Sequence, residues 1–253
     1  MAEKTSRNPT ACVLLIGNEI LSGRTQDANL NFLATRLGKA GIPLREARVI
    51  PDVPETIIAT VNELRPKYDY IFTTGGIGPT HDDITAECIA KAFGVPLERN
   101  PEAMRILEEH YKAMGTDVNE ARARMANIPQ GGKLRENPVS KAPGFNIGNV
   151  YVLPGVPKIM QAIFDLLLPT LAGGPPVIMH TVTCDIREGD LAADLEAIAL
   201  KYPQIDIGSY PGVRDGKWMT QLICKGSDAE AVKRAGNEVI EMVKRLGNLL
   251  DVA

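Results

Sequence analysis

The stretch Thr73-Thr74-Gly75-Gly76-Ile77-Gly78-Pro79-Thr80-His81-Asp82-Asp83-Ile84-Thr85 decides how this chain folds. An apolar run over 68–72 leads into it and a helix-forming pattern over 83–93 leaves it. Three glycines fall within four residues at the junction. That spacing predicts a strand ending in a loop whose backbone can approach an anion. The following helix would turn its free N–H groups toward the same point. A glycine pair alone reads equally well as a tight turn that needs positive φ. The hydroxyls of Thr73, Thr74 and Thr80 favour the anion site, with Thr74, Gly75, Gly76, Gly78, Pro79 and Thr80 as its wall. No Gly-Lys-Ser/Thr follows, so this is not a Walker loop, and the spacing is not that of a dinucleotide fingerprint.

Asp82 and Asp83 extend this reading. Acidic residues favour a helix N-terminus whatever the function, so either can serve as a cap. A carboxylate beside a bound phosphate repels it unless a cation lies between them. Asp82 and Asp83 are therefore also candidate ligands for a divalent metal of the Mg²⁺ type, and Asp83 is a candidate catalytic carboxylate.

Outward from this loop, strand and helix patterns alternate. Residues 11–16 form a continuous apolar run suited to a strand covered on both faces. Over 27–40, Leu30, Leu33, Ala34 and Leu37 fall at helical spacing, and Gly41 ends the segment. Residues 42–50 form a second strand, and Pro54 opens a helix over 54–64. With 68–74 and 83–93 the order is βαβαβα, which predicts an α/β fold with a doubly wound sheet. Helices follow at 101–114 and 119–127, then a long loop over 128–143. A hairpin turns at Gly148-Asn149, and 156–168 carries a wide apolar helical stripe. The proline- and glycine-rich segment 169–176 reads as a linker. Beyond it, strands at 177–184, 204–209 and 217–224 and helices at 190–200 and 227–246 predict a small βαββα unit. Its turn is Asp215-Gly216, and Ser227 with Glu230 forms a capping box for the last helix.

The chain has 253 residues, 44% of them hydrophobic, and a formal net charge of -3. This balance supplies no general attraction to nucleic acid or anionic membrane, and no aromatic-basic interleaving suggests either partner. No apolar stretch approaches a membrane span, and the run 11–16 is too short for a secretory signal. A cytoplasmic location is the expectation, with residues 1–9 as a loose polar tail. The four cysteines lie far apart without a metal-type spacing and read as small core hydrophobes. The three histidines are dispersed as well.

Other candidates follow from topology, because ligands gather at the carboxyl ends of parallel strands. Glu19, in the loop after the first strand, is placed to orient a ligand hydroxyl or a water. Asp52 ends the second strand, where a plain turn residue is the blander reading. Lys141 offers a charge to phosphate. Gly155, within Leu153-Pro154-Gly155-Val156-Pro157, is another glycine at a helix start.

Five ordered segments, 17–29, 49–52, 73–85, 142–145 and 153–157, together resemble the molybdenum-cofactor-biosynthesis domain of the MoaB/MogA and gephyrin type. The Gly-Pro-Thr-x-Asp-Asp-x-Thr form is closest to the CinA competence/damage-inducible branch. The resemblance implies a three-layer α/β/α, mostly parallel MogA-like domain over 10–170 and a small α/β domain over 176–250. It implies molybdopterin or a nucleotide as ligand. It assigns functional roles to Asp52, Asp83 and Glu19, and raises Asp52 above its plain turn reading. One departure is Ser140, where the family often has glycine. CinA-type chains often continue into a nicotinamide-nucleotide amidase domain. This sequence ends before one, so that activity is not expected. Two functions follow from the resemblance. One is cleavage of a nucleotide diphosphate such as ADP-ribose or FAD, dependent on Mg²⁺, Co²⁺ or Ni²⁺. The other is non-catalytic carriage or sensing of molybdopterin. A homo-oligomer, preferably a dimer, is expected with either.

Overall fold

A computed structural model describes residues 8–252. The chain divides into two compact units, the first ending at Gly174 and the second beginning at Pro175.

The first unit runs β1 (Ala11–Ile16), α1 (Asn18–Leu21), α2 (Asn29–Lys39), β2 (Leu44–Ile50), α3 (Pro54–Leu64), β3 (Tyr70–Thr74), α4 (Thr85–Phe93), β4 (Leu97–Arg99), α5 (Pro101–Ala113), α6 (Glu120–Ala123), β5 (Asn127–Pro129), β6 (Lys133–Arg135), β7 (Gly144–Ile147), β8 (Val150–Leu153) and α7 (Pro157–Leu167). Its main sheet has the order β2-β1-β3-β8-β7-β6, with the first four strands parallel and the last two antiparallel. Helix boundaries follow local chemistry. Pro54 and Pro101 begin α3 and α5, where a missing N–H costs nothing. Asn100 and Asn119 cap α5 and α6 by accepting from Ala103 and Arg122 amides at 3.0 and 2.9 Å. Gly94, at φ 66°, ends α4 in the left-handed region.

Every residue of β1 is buried, so its side chains feed two cores. Cys12, Leu14 and Ile16 face one of them, packed with Ile57 and Val61 of α3 and Cys88 and Ile89 of α4. Ala11, Val13 and Leu15 face the other, packed with Leu33 and Leu37 of α2 and Met160, Ile163 and Phe164 of α7. The sheet thus lies between two helical layers, the three-layer α/β/α arrangement.

The second unit comprises β9 (Ile178–Cys184), α8 (Glu188–Lys201), β10 (Asp206–Arg214), β11 (Lys217–Gly226), α9 (Ala229–Leu246) and β12 (Leu249–Val252). Its antiparallel sheet has the order β10-β11-β9-β12. Both helices contribute to one core against it, through Leu191, Leu195, Val232, Val239 and Val243. The β10–β11 hairpin turns at Asp215 and Gly216 with φ 53° and 73°, a pair of positive values that matches the twist of the flanking strands.

Several expectations need correction. The unit after the linker is βαββαβ, because β12 pairs with β9. Its first strand of the hairpin runs from Asp206 to Arg214, well past residue 209. The last helix is capped by Asp228, which accepts the Ala231 amide at 3.0 Å, and not by Ser227. The 128–143 segment is not wholly loop, since it holds most of β5 and all of β6. The 119–127 helix shortens to α6 and a 3-10 turn over 124–126. Most of the predicted tail, 1–9, lies outside the described residues.

Candidate functional site

Four parallel strands end at one rim. The register pairs Ile16 with Ile50, Leu15 with Thr74, and Thr74 with Leu153, so the loops after β1, β2, β3 and β8 emerge side by side. A cleft of about 490 Å³ opens there, lined by Glu19, the 75–79 loop, Asp83, Ser140, Ala142 and the 154–157 loop among others.

The loop after β3 owes its path to missing side chains. Gly75 has φ 104°, and a Cβ there would lie 2.1 Å from the Ile16 carbonyl oxygen. Gly76 has φ 68°, and its Cβ would lie 2.1 Å from Thr85 Oγ1. Both positions therefore require glycine. Gly75 N–H is engaged by the Leu153 carbonyl at 3.0 Å, and the Gly76 carbonyl receives the Thr85 amide at 2.9 Å. Among the described residues, the amides of Gly76, Ile77 and Gly78 have no protein acceptor. Thr74 is buried at the end of β3 and does not line the cleft, and Pro79 does.

The two aspartates separate. Asp83 Oδ2 accepts both the amide and the hydroxyl of Thr80, at 2.7 and 2.6 Å, and closes the 80–83 turn. Its carboxylate lies against Gly78, where a Cβ would meet Oδ1 at 3.0 Å, and it lines the cleft. Asp82 points elsewhere: its side chain is 69% exposed beside His81, and it is not part of the cleft. Of the two candidate metal ligands, Asp83 alone therefore reaches the cleft, because consecutive residues in this turn diverge. Among the described residues no cluster of three or more His, Cys, Asp and Glu is suited to a metal ion. Asp83 alone fits an ion that draws its remaining ligands from a bound phosphate and water, the usual habit of Mg²⁺.

Glu19 and Asp52 take different parts. The Glu19 carboxylate folds back over Gly17, where a Cβ would lie 2.6 Å from both its oxygens, and it faces the cleft. Asp52 does not line the cleft. Its Oδ2 accepts the Asn18 amide at 2.8 Å and steadies the first turn of α1, which carries Glu19. Gly155 packs on Gly75, with 3.4 Å between its Cβ position and the Gly75 Cα. Asn29, buried at the start of α2, donates to the Gly155 carbonyl at 2.8 Å and pins that loop.

Lys141 is a correction. Ser140 and Ala142 line the rim cleft, whereas Lys141 lines a neighbouring cleft on the other side of the same loop. The segment is shaped by Asn137, 2% exposed, whose Nδ2 donates to Ser140 Oγ and the Ala142 carbonyl at 2.7 Å each. Its Oδ1 accepts the Val139 and Ser140 amides at 3.0 and 3.1 Å. Asn29, Asn137 and Met125, the last a lining residue of the rim cleft, are absent from the sequence candidates. Asn137-Pro138 is a turn signal that could have singled out Asn137. Met125 carries no local signal.

Comparison with known proteins agrees with the fold. A family model described as a probable molybdopterin binding domain matches residues 12–173, and one described as the middle domain of FAD synthase matches residues 176–247. A protein of Caldivirga maquilingensis is 40% identical over 243 residues, covering 92% of this chain and 95% of its own. A probable FAD synthase of Caenorhabditis elegans is 30% identical over 267 residues, covering 95% of this chain and 51% of its own. The solved structure of CinA from Thermoplasma acidophilum, a protein described as of unknown function, superposes with a TM-score of 0.60 at 35% identity, over 65% of this chain and 99% of its own. The glycine loop, the rim cleft and these matches lead to one assignment: the chain belongs to the probable molybdopterin binding domain family, in its CinA-like branch.

Proposed function

We propose that the rim cleft binds a nucleotide diphosphate by its pyrophosphate and cleaves it with the aid of a divalent cation. The observation that carries this reading is a convergence. The unengaged amides of Gly76, Ile77 and Gly78 and the carboxylates of Asp83 and Glu19 meet in one cleft of about 490 Å³. The FAD synthase description of the second family model, and the name of the worm relative, support a dinucleotide-type ligand.

In this reading the three amides hold the phosphate oxygens and stabilise charge as it develops, without reorganising during the reaction. Glu19 orients the attacking water, and Asp52 keeps Glu19 in place through Asn18. Thr80 holds one Asp83 oxygen and leaves the other free to face the ligand. A Mg²⁺-type ion bound between Asp83 and the ligand's phosphates would neutralise part of their charge. The apolar lining from Ile77, Val156 and Ile159 suits the body of the ligand.

The test is incubation with ADP-ribose, FAD and ATP in the presence of Mg²⁺, Co²⁺ or Ni²⁺, with nucleoside monophosphate release as the readout. Asp83→Asn is expected to lower turnover by about 10²–10³-fold while the folded circular-dichroism spectrum persists. Unchanged turnover in this variant would remove Asp83 from the mechanism. No product from any substrate, together with measurable pterin affinity, would replace catalysis by a carrier or sensor role.

A further inference from the structure

β2 is one edge of the large sheet, bonded to β1 on one side only. Natural edges are kept short, bulged, or guarded by lysine or proline, so that they do not pair with another chain. The opposite edge follows that rule, because β6 has three residues and begins with Lys133. β2 does not. It has seven residues without lysine or proline, and its register irregularity lies at its start, beside Ala11.

The register also fixes which backbone groups of β2 face outward. The Gly17 amide reaches the Ile50 carbonyl at 3.1 Å, so Ile50 and, by alternation, Arg48 turn their polar groups toward β1. Ala47 and Val49 turn theirs away from the sheet. Their side chains are exposed as well, Val49 by 41%. Yet they lie beside Val13 and Leu15, on the face that packs under α2 and α7. The helical layer on that face therefore stops short of the edge.

We propose that this edge pairs with the same edge of a second copy of the chain, antiparallel about a two-fold axis at Ala47. A two-fold contact sets each residue against its mirror position, and β2 is its own complement in this register alone. Centred on Ala47, Glu46 faces Arg48 of the partner subunit, and Arg48 faces the partner's Glu46. Centred one residue earlier, two glutamates would face each other; one residue later, two arginines would. Like charges directly opposite destabilise a sheet. Glu46 and Arg48 already bond each other and stay partly exposed, so the four charges form one alternating row across the axis. On the other face Val49 meets Arg45 of the partner subunit, whose aliphatic stem covers it. The Ala47 amide and carbonyl bond reciprocally with those of the partner's Ala47, and the sheet continues through both copies. The proposal is independent of the chemistry proposed for the rim cleft, because none of these residues lines that cleft.

The test is the mass of the full chain by light scattering at micromolar concentration, with two matched variants. The expected mass is twice 27.4 kDa. A monomer or a trimer overturns the proposal. Val49→Lys sets a like charge against Arg45 of the partner subunit and should weaken dimerisation by about tenfold. Val49→Glu removes the same valine but sets an opposite charge there, and the dimer should be at least as tight as the original. Residue 49 is exposed in the single chain, so thermal melts of both variants at high dilution should match the parent. A dimer that both substitutions weaken equally, or that neither changes, overturns this register.

Discussion

Gly76 shows how much a single hydrogen atom in place of a side chain contributes to this protein. Thr85 Oγ1 occupies the space where its Cβ would be, and the backbone is left-handed. Gly76→Ala should therefore cost about 1–3 kcal/mol of stability, measurable by urea denaturation, and should weaken phosphorylated ligands by moving the neighbouring amides. The cysteines make the opposite case, of side chains with little chemistry. Burial pushes the Cys12 thiol up to about 12, helped by the charge of Glu46, and burial alone pushes Cys224 up to about 11. Cys88 rises to about 11 for the same main reason, and Cys184 is raised too. A thiol reagent near neutral pH should label none of the four in the native protein and all four once it is unfolded. Site residues were legible in the sequence where local spacing defined them. The glycine trio and Asp83 sit within one short stretch, and Glu19 follows a strand end directly. Lys141 misled because neighbouring loop residues alternate in direction, and sequence proximity to the Ala142-Pro143-Gly144 turn says nothing about which side of the loop a residue faces. Asn29 acts across 126 residues, a distance that no local pattern encodes.

Elements were legible in proportion to their length. The long helices α5, α7 and α9 show their apolar stripe over at least three turns, so their existence could be read directly. Strands β4, β5 and β6 have three residues each, too few for a period to show, and exist because a partner strand lies beside them. β12 was hidden for the same reason, following a helix that ended the visible rhythm. Between β2 and α3 an ion-pair network makes a pH-dependent contribution. Arg48 bonds both oxygens of Glu63 at 2.7 Å, and Lys67 adds a bond at 2.6 Å. Arg48 first and Lys67 second hold the Glu63 carboxyl down to about 2 from an ordinary value of 4.5. Because the folded value is the lower one, the pairing contributes fully above about 4.5 and is lost as pH falls toward 2. Glu63→Gln should flatten the stability curve in that window and leave its shape at neutral pH unchanged, as thermal melts across pH will record. The size of the effect is tempered by solvent exposure of the pair.

The described residues form three buried clusters, two flanking the large sheet and one in the small unit. Units with separate cores need not unfold together. Calorimetry should resolve two transitions, and a phosphorylated ligand of the rim cleft should raise only the one belonging to the unit that ends at Gly174. A single transition raised as a whole would show that the units melt cooperatively. The contact between Gly75 and the Ile16 carbonyl has a consequence at this scale. A strand that is apolar on both sides has no polar face to betray a misalignment, so β1 could slide by one position against its neighbours without exposing a greasy surface. What forbids the slide is the end stop: Gly17 N–H clasps the Ile50 carbonyl at 3.1 Å, and Gly75 leaves just enough room for one oxygen atom of the adjoining strand. The bend proposed to receive the ligand is thus also the gauge against which the central strands are set, and damage to it should appear as misfolded protein before it appears as lost affinity.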